Sequence, residues 1–154
     1  MNHKATYLNP VVIAMRNTQD GAYPGHIRIR NVGPDSFEYK YEEWMYQDGL
    51  KYNEETLAYL VVEVGTHTLQ NGEIMQVQSL SAINDVWSLV QYDRYSTIPA
   101  LFAQSQTVND AQPIVTRIDQ VKCSTAAVRM QEEQSETDGI HAIEDIGVIT
   151  IGTV

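Results

Sequence analysis

A stretch beginning at Pro10 is written a second time from Pro99, and this duplication constrains the fold more than any other feature of the sequence. The offset is 99 − 10 = 89 residues, and the two stretches align without a gap from Pro10–Trp44 against Pro99–Glu133. Nine pairs are identical there: Pro10/Pro99, Ala14/Ala103, Thr18/Thr107, Ala22/Ala111, Pro24/Pro113, Arg28/Arg117, Ile29/Ile118, Val32/Val121 and Glu43/Glu132. Ordinary residue frequencies would give about two by chance. A one-residue shift then matches Asp48-Gly49 to Asp138-Gly139, and a return to the original offset matches Glu55 to Glu144. A chain that repeats a unit in this way is expected to fold as repeated supersecondary units.

Each copy reads as four short strands, and neither shows a convincing helix. An apolar run follows each proline, Val11–Met15 and Ala100–Gln104, and an alternating one comes next, His26–Asn31 and Ile114–Val121. In the third run Phe37, Tyr39 and Tyr41 share one face and Glu38, Lys40 and Glu42 the other, which is the period of two of a half-buried antiparallel strand. Ala126, Val128 and Met130 keep that parity in the second copy. The fourth run, Leu57–Val64 and Ile146–Ile151, is almost continuously apolar, as in a central strand covered on both faces. Between the copies, Asn71-Gly72 sits between Thr68-Leu69-Gln70 and Glu73-Ile74-Met75 and signals a hairpin. Val86–Tyr92 reads as a further strand with Trp87, Leu89 and Gln91 on one face.

The expected fold is therefore all-β: two antiparallel β-sandwich repeats packed as a pseudo-dimer. Residues 1–65 form the first, and residues 66–154, with the connecting hairpin, form the second. Under the offset Trp87 has no counterpart in the first copy, so that copy is expected to lack its opening strand and to expose a sheet edge.

The 154 residues suffice for one ordinary core or two small ones packed together. A formal net charge of −10 repels phosphate backbones and anionic membranes, so nucleic acid is not an expected partner. No apolar run approaches the roughly 20 residues of a spanning helix, and the opening MNHKATYLNP lacks the apolar core of a signal peptide. The chain as written reads as soluble, without membrane insertion. The single cysteine, Cys123, excludes an internal disulfide and any multi-cysteine zinc site.

Carboxylates concentrate in Met130–Glu144 and in its looser copy Tyr41–Glu55. Glu42-Glu43 and Glu132-Glu133 are neighbours on a strand and point to opposite faces, so neither pair can flank one glycosidic bond. No nucleophile, phosphate-loop or dinucleotide motif is present, and the chain reads as non-enzymatic. Asp138, His141 and Glu144 could supply a metal with two carboxylates and an imidazole. The first copy keeps Asp48, Glu54 and Glu55 but has Tyr52 at the histidine position, so an oxygen-only calcium site is the form that could be duplicated. The alternative is that Asp-Gly is only a turn and the acids a solvated rim.

Arg28 and Arg117 fall at outward parity, each with its repeated glutamate, Glu43 or Glu132, in the following strand. They read as cross-strand ion pairs, or as the polar floor of a ligand groove. Trp44, Tyr46 and Tyr52 stand where the second copy has Glu133, Ser135 and His141. Aromatic rings beside carboxylates are the surfaces that stack on a sugar, with core or interface packing as the alternative.

The pattern P-x-x-x-A…T…P-x-x-x-R-I-x-x-V…Q-E-E…D-G-x-H-x-x-E-x-x-G-x-I-x-I is written in full from Pro99 to Ile151. It resembles a β-sandwich repeat of large secreted bacterial proteins, some of them polysaccharide-active, and is more distantly similar to the H-type lectin domain. The resemblance implies an antiparallel sandwich, an extracellular or cell-surface location and a trimer that binds galactose-type sugars. The first copy departs from the pattern at Trp44, Leu50-Lys51-Tyr52 and Ala58. On this footing the expected function is a non-catalytic carbohydrate-binding or adhesion module. The expected assembly is a homo-oligomer, trimer before dimer, whose N-terminal segment covers the open edge of a neighbouring chain. Within one chain, Glu73–Val77 folding back over that edge is the alternative. The rival functions are a structural protein of surface or phage-fibre type and a small glycan-active hydrolase.

Overall fold

The computed structural model describes residues 1, 5–17, 25–44, 56–133 and 140–154, and the regular structure among them is entirely antiparallel β. The strands are β1 (Pro10–Arg16), β2 (Gly25–Arg30), β3 (Glu38–Glu43), β4 (Leu57–Glu63), β5 (Gly65–Thr68), β6 (Ile74–Ile83), β7 (Ser88–Gln91), β8 (Ala100–Ser105), β9 (Ile114–Asp119), β10 (Thr125–Glu132) and β11 (Glu144–Gly152). The first copy contributes the pairs β1–β4 and β2–β3. The second contributes the sheets β5-β6-β11-β8 and β7-β10-β9, stacked in a sandwich-like arrangement.

Adding 89 to each residue of one copy reproduces the pairing of the other. Val11↔Val62 becomes Ala100↔Ile151, and Gly25↔Glu43 becomes Ile114↔Glu132. Loop geometry follows the same rule. Asn31 and Gln120, at 31 + 89 = 120, both hold the left-handed φ of 50°. The turn bond from Gly33 N to Ser36 O is matched by that from Lys122 N to Thr125 O.

The copies differ in what surrounds the fourth strand. β11 lies between β6 and β8 and is covered on both faces: Val148 packs with Val90, Ile114 and Val128, and Ile149 with Met75 and Val77. Among the described residues β4 has only β1 beside it, and Tyr59 and Leu60 are 37% and 44% exposed where Val148 and Ile149 are 1% and 0%. A continuous apolar run thus predicts full cover for one copy and overstates it for the other.

The Asn71-Gly72 turn joins β5 to β6, with Gly72 at a φ of 85°. Glu73–Val77 does not fold back over the first copy, because β6 is committed to β5 and β11. In β7 the inward residue is Val90 while Leu89 is exposed, and just before the strand the Arg129 guanidinium lies 4.7 Å over the exposed Trp87 ring. The start of the chain is also engaged internally. Met1 N donates to Phe37 O at 2.5 Å, Phe37 N donates to Met1 O at 2.9 Å, and Tyr7 N donates to Pro34 O at 2.9 Å. Because 1 + 89 = 90 and 37 + 89 = 126, Met1 stands on Phe37 as Val90 stands on Ala126 in the β7–β10 pairing. Met1 and Tyr7 thus make contacts within the chain.

β1 would present a raw edge to the second copy, but two glutamines close it. Val12 N donates to Gln106 Oε1 and Gln106 Nε2 donates to Val12 O, both at 2.8 Å. Ala14 N donates to Gln104 Oε1 at 2.7 Å, and Gln104 Nε2 donates to Ala14 O at 3.0 Å and to Ile27 O at 2.9 Å. A primary amide offers donor and acceptor in one plane as a peptide does, so each glutamine stands in for a residue of a missing strand. Gly147 makes the approach feasible: a Cβ there would collide with Val11 Cγ1 and come within 3.0 Å of the Gln106 amide. Val11 accordingly joins Met75, Val77 and Ile149 in a core shared by both copies.

Candidate functional site

Strand alternation places Ile27 and Ile29 in the first copy's core with Val12 and Phe37, and sends Arg28 to the opposite face. That face meets the second copy, and Arg28 is only 3% exposed. Its Nη1 donates to Glu42 Oε2 at 3.1 Å and to Gln112 O at 3.2 Å, and its Nη2 reaches Glu144 Oε1 at 3.3 Å and Thr107 O at 3.5 Å. The sequence suggested an outward Arg28 paired with Glu43; the guanidinium is instead buried between Glu42 and Glu144. Glu42 also meets His26 Nε2 at 3.0 Å and Lys40 Nζ at 2.8 Å. The repeated arginine, Arg117, is exposed and donates through Nε to Gln131 Oε1 at 2.7 Å, not to Glu132. One residue type at one repeat position thus has two fates, set by whether a copy covers it.

Glu144 opens β11 and is 1% exposed. Its Oε1 accepts from Asn109 N at 2.8 Å, and its Oε2 accepts a very short bond from Thr107 Oγ1. His141, also buried, places Nδ1 3.0 Å from Glu132 Oε1 and Nε2 3.1 Å from Glu144 Oε1. An ionised carboxylate only accepts, so this geometry suits a ring that carries a proton on both nitrogens. Burial works against that charge, but the bonds to Glu144 and Glu132 outweigh it and hold His141 above its ordinary 6.5. Burial likewise pushes the Glu144 carboxyl up, and His141, Thr107 and the Asn109 amide overcome it, leaving the group below its ordinary 4.5.

The sign of the pH dependence follows. A raised histidine stabilises the fold fully below 6.5, and the gain is lost as pH climbs through its folded value. A lowered glutamate stabilises above 4.5, and that gain is lost as pH falls through its folded value. The melting temperature is expected to be highest between about pH 4.5 and 6.5 and to fall on the alkaline side. His141→Gln should remove the alkaline fall; an unchanged alkaline limb in that variant would show that another group carries it.

Asp110, Glu132 and His141 bring one ligating atom each to within 4.8 Å of one another. Glu132 Oε2 is buried without a hydrogen-bond partner. Two carboxylates and an imidazole are a donor set for a transition metal, which would have to displace the Nδ1 proton. The spacing in the sequence points to His141 and Glu144 as metal ligands but not to Asp110, whose only signal is its place in the loop three residues before the repeated Pro113. Asp48, Glu54, Glu55 and Asp138 lie outside the described residues, as do Tyr46 and Tyr52.

Of the proposed sugar-facing groups, Glu132 and Glu133 are buried. Glu43 lines a cleft of about 480 Å³ with Tyr41, Asp110 and Gln112. Trp44, next in the chain, is half-buried with its ring centroid 5.2 Å from that of His26. Arg16 donates to Tyr41 Oη at 2.9 Å and steadies that wall.

No family model matches the chain, and no solved structure matches it. The chain is 33% identical over 156 residues to halomucin of Haloquadratum walsbyi (strain DSM 16790 / HBSQ001). The match takes in 95% of this chain and 2% of halomucin, so the chain spans a small fraction of its relative's length. No helix among the described residues is long and apolar enough to cross a membrane.

Proposed function

We propose that the chain is a non-catalytic adhesion or carbohydrate-binding module of an extracellular surface protein, built as two β-sandwich repeats packed as a pseudo-dimer. The observation that carries this reading is the match itself: nearly the whole chain corresponds to a short segment of a far longer protein whose name denotes a mucin. A duplicated unit of this kind suits a chain built by repetition. The buried charges support the non-catalytic part, since Arg28, Glu42, Glu144 and His141 are engaged in ion pairs with one another at the seam. The H-type lectin resemblance favours a trimer and a galactose-type sugar.

The cleft beside Glu43 and Trp44 is the place for that sugar, with the indole as stacking surface and Glu43, Asp110 and Gln112 as hydroxyl partners. Titration against a panel of galactose-containing and mucin-type oligosaccharides tests the reading. Binding is expected without release of reducing ends, and Trp44→Ala should weaken it about fivefold, in line with an aromatic contact of roughly 1 kcal/mol. A folded protein that binds no glycan would leave the structural reading in its place, and release of reducing ends would make it a hydrolase.

A further inference from the structure

The outer edge of β4 is an unfilled strand position. In the second copy the fourth strand, β11, pairs with β8 on one side and β6 on the other; in the first, β4 pairs among the described residues with β1 alone. Because Val12 and Ala14 turn their N–H groups toward Gln106 and Gln104, away from β4, their partners Val61 and Tyr59 turn theirs away from β1. No backbone partner for those groups exists among the described residues. Tyr59 and Leu60 stay exposed on the same strand, next to an apolar hollow of about 240 Å³ shared with Met15 and Phe102.

We propose that this edge is an acceptor for a strand of β6 chemistry supplied by a neighbouring repeat unit. The internal repeat defines the occupant. Thr150 and Val148 of β11 face Gln76 and Gln78 of β6, and subtracting 89 gives Val61 and Tyr59. An incoming strand in that register sets its Val77 position opposite Leu60 and its Met75 position opposite Val62, as β6 does at Ile149 and Ile151. The existing contacts at the edge do not obstruct it. Tyr7 Oη donates to Val61 O at 3.4 Å, and Tyr95 Oη donates to the equivalent Thr150 O at 3.2 Å in the copy where β6 is already seated. Backbone pairing supplies affinity in such strand addition and the alternate side chains supply selectivity. The inference rests on the pairing geometry alone and does not depend on a glycan.

A synthetic peptide of residues 72–89, added to the intact chain, tests it by amide exchange. One peptide is expected to bind per chain and to slow exchange at Tyr59 and Val61 about tenfold or more, while Val148 and Ile149 are unchanged. A peptide carrying Gln76→Pro and Gln78→Pro lacks the two facing N–H groups and should be inert. Three results would overturn the proposal: no slowing at saturating peptide, equal binding of the prolyl peptide, or a free chain that self-associates with Tyr59 and Val61 already protected. The last would make a second β4 the occupant.

Discussion

Arg28→Ala is expected to destabilise the fold by about 3–5 kcal/mol, the cost of removing one member of a buried ionic set and leaving its partners uncompensated. Glu42 and Glu144 would both keep buried carboxylates, and Gln112 O and Thr107 O would lose a donor. The repeat supplies its own control. Arg117→Ala removes the same residue from the same strand position, but at an exposed site with one glutamine partner, and should change stability by no more than about 0.5 kcal/mol. Urea melts of the two variants measure the contrast directly. Equal losses would mean that the arginine matters to each copy separately and not to their union.

Gly147→Ala is the second large effect, and it too has a counterpart. The first copy carries Ala58 at that position, since 58 + 89 = 147, and there the side chain borders an apolar hollow of about 240 Å³ that leaves room for its Cβ. At 147 the added methyl would drive into Val11 and the Gln106 amide. Overpacking of that kind costs about 1–3 kcal/mol, and the two Gln106–Val12 bonds add about 1 kcal/mol each if they break. Ala58→Gly should cost only about 0.5–1 kcal/mol, the ordinary penalty of glycine in a strand. Thermal melts in which 147 proves as tolerant as 58 would contradict the close approach of the copies.

Much of this architecture was legible in the sequence because β-structure has a period of two. Parity in Phe37–Glu42 and in Ala126–Met130 placed the strands, and the offset of 89 carried one copy onto the other. Parity tells which face a side chain takes, however, and not what lies over that face. Parity puts Arg28 on the outward face of its strand, and that face is covered by Thr107, Gln112 and Glu144. The run Leu57–Val64 was read as central for the same reason. Gln104 and Gln106 belong to no motif. Their signal lay in where the copies disagree: the first has Met15 and Asn17 at those positions, so the bridging amides occur only in the copy that receives β1. At the candidate site, His141 and Glu144 were found through their spacing, whereas Asp110 comes to them from a loop remote in sequence.

The union of the two copies through side-chain amides is best tested at the amides themselves. Native-state hydrogen exchange at Val12 and Ala14 reads whether donors that meet only Gln106 and Gln104 side chains behave as members of a sheet. The structure predicts that both exchange as slowly as Val148 and Ile149, through opening of the whole fold. Rapid exchange at Val12 and Ala14 while Val148 and Ile149 remain protected would contradict it.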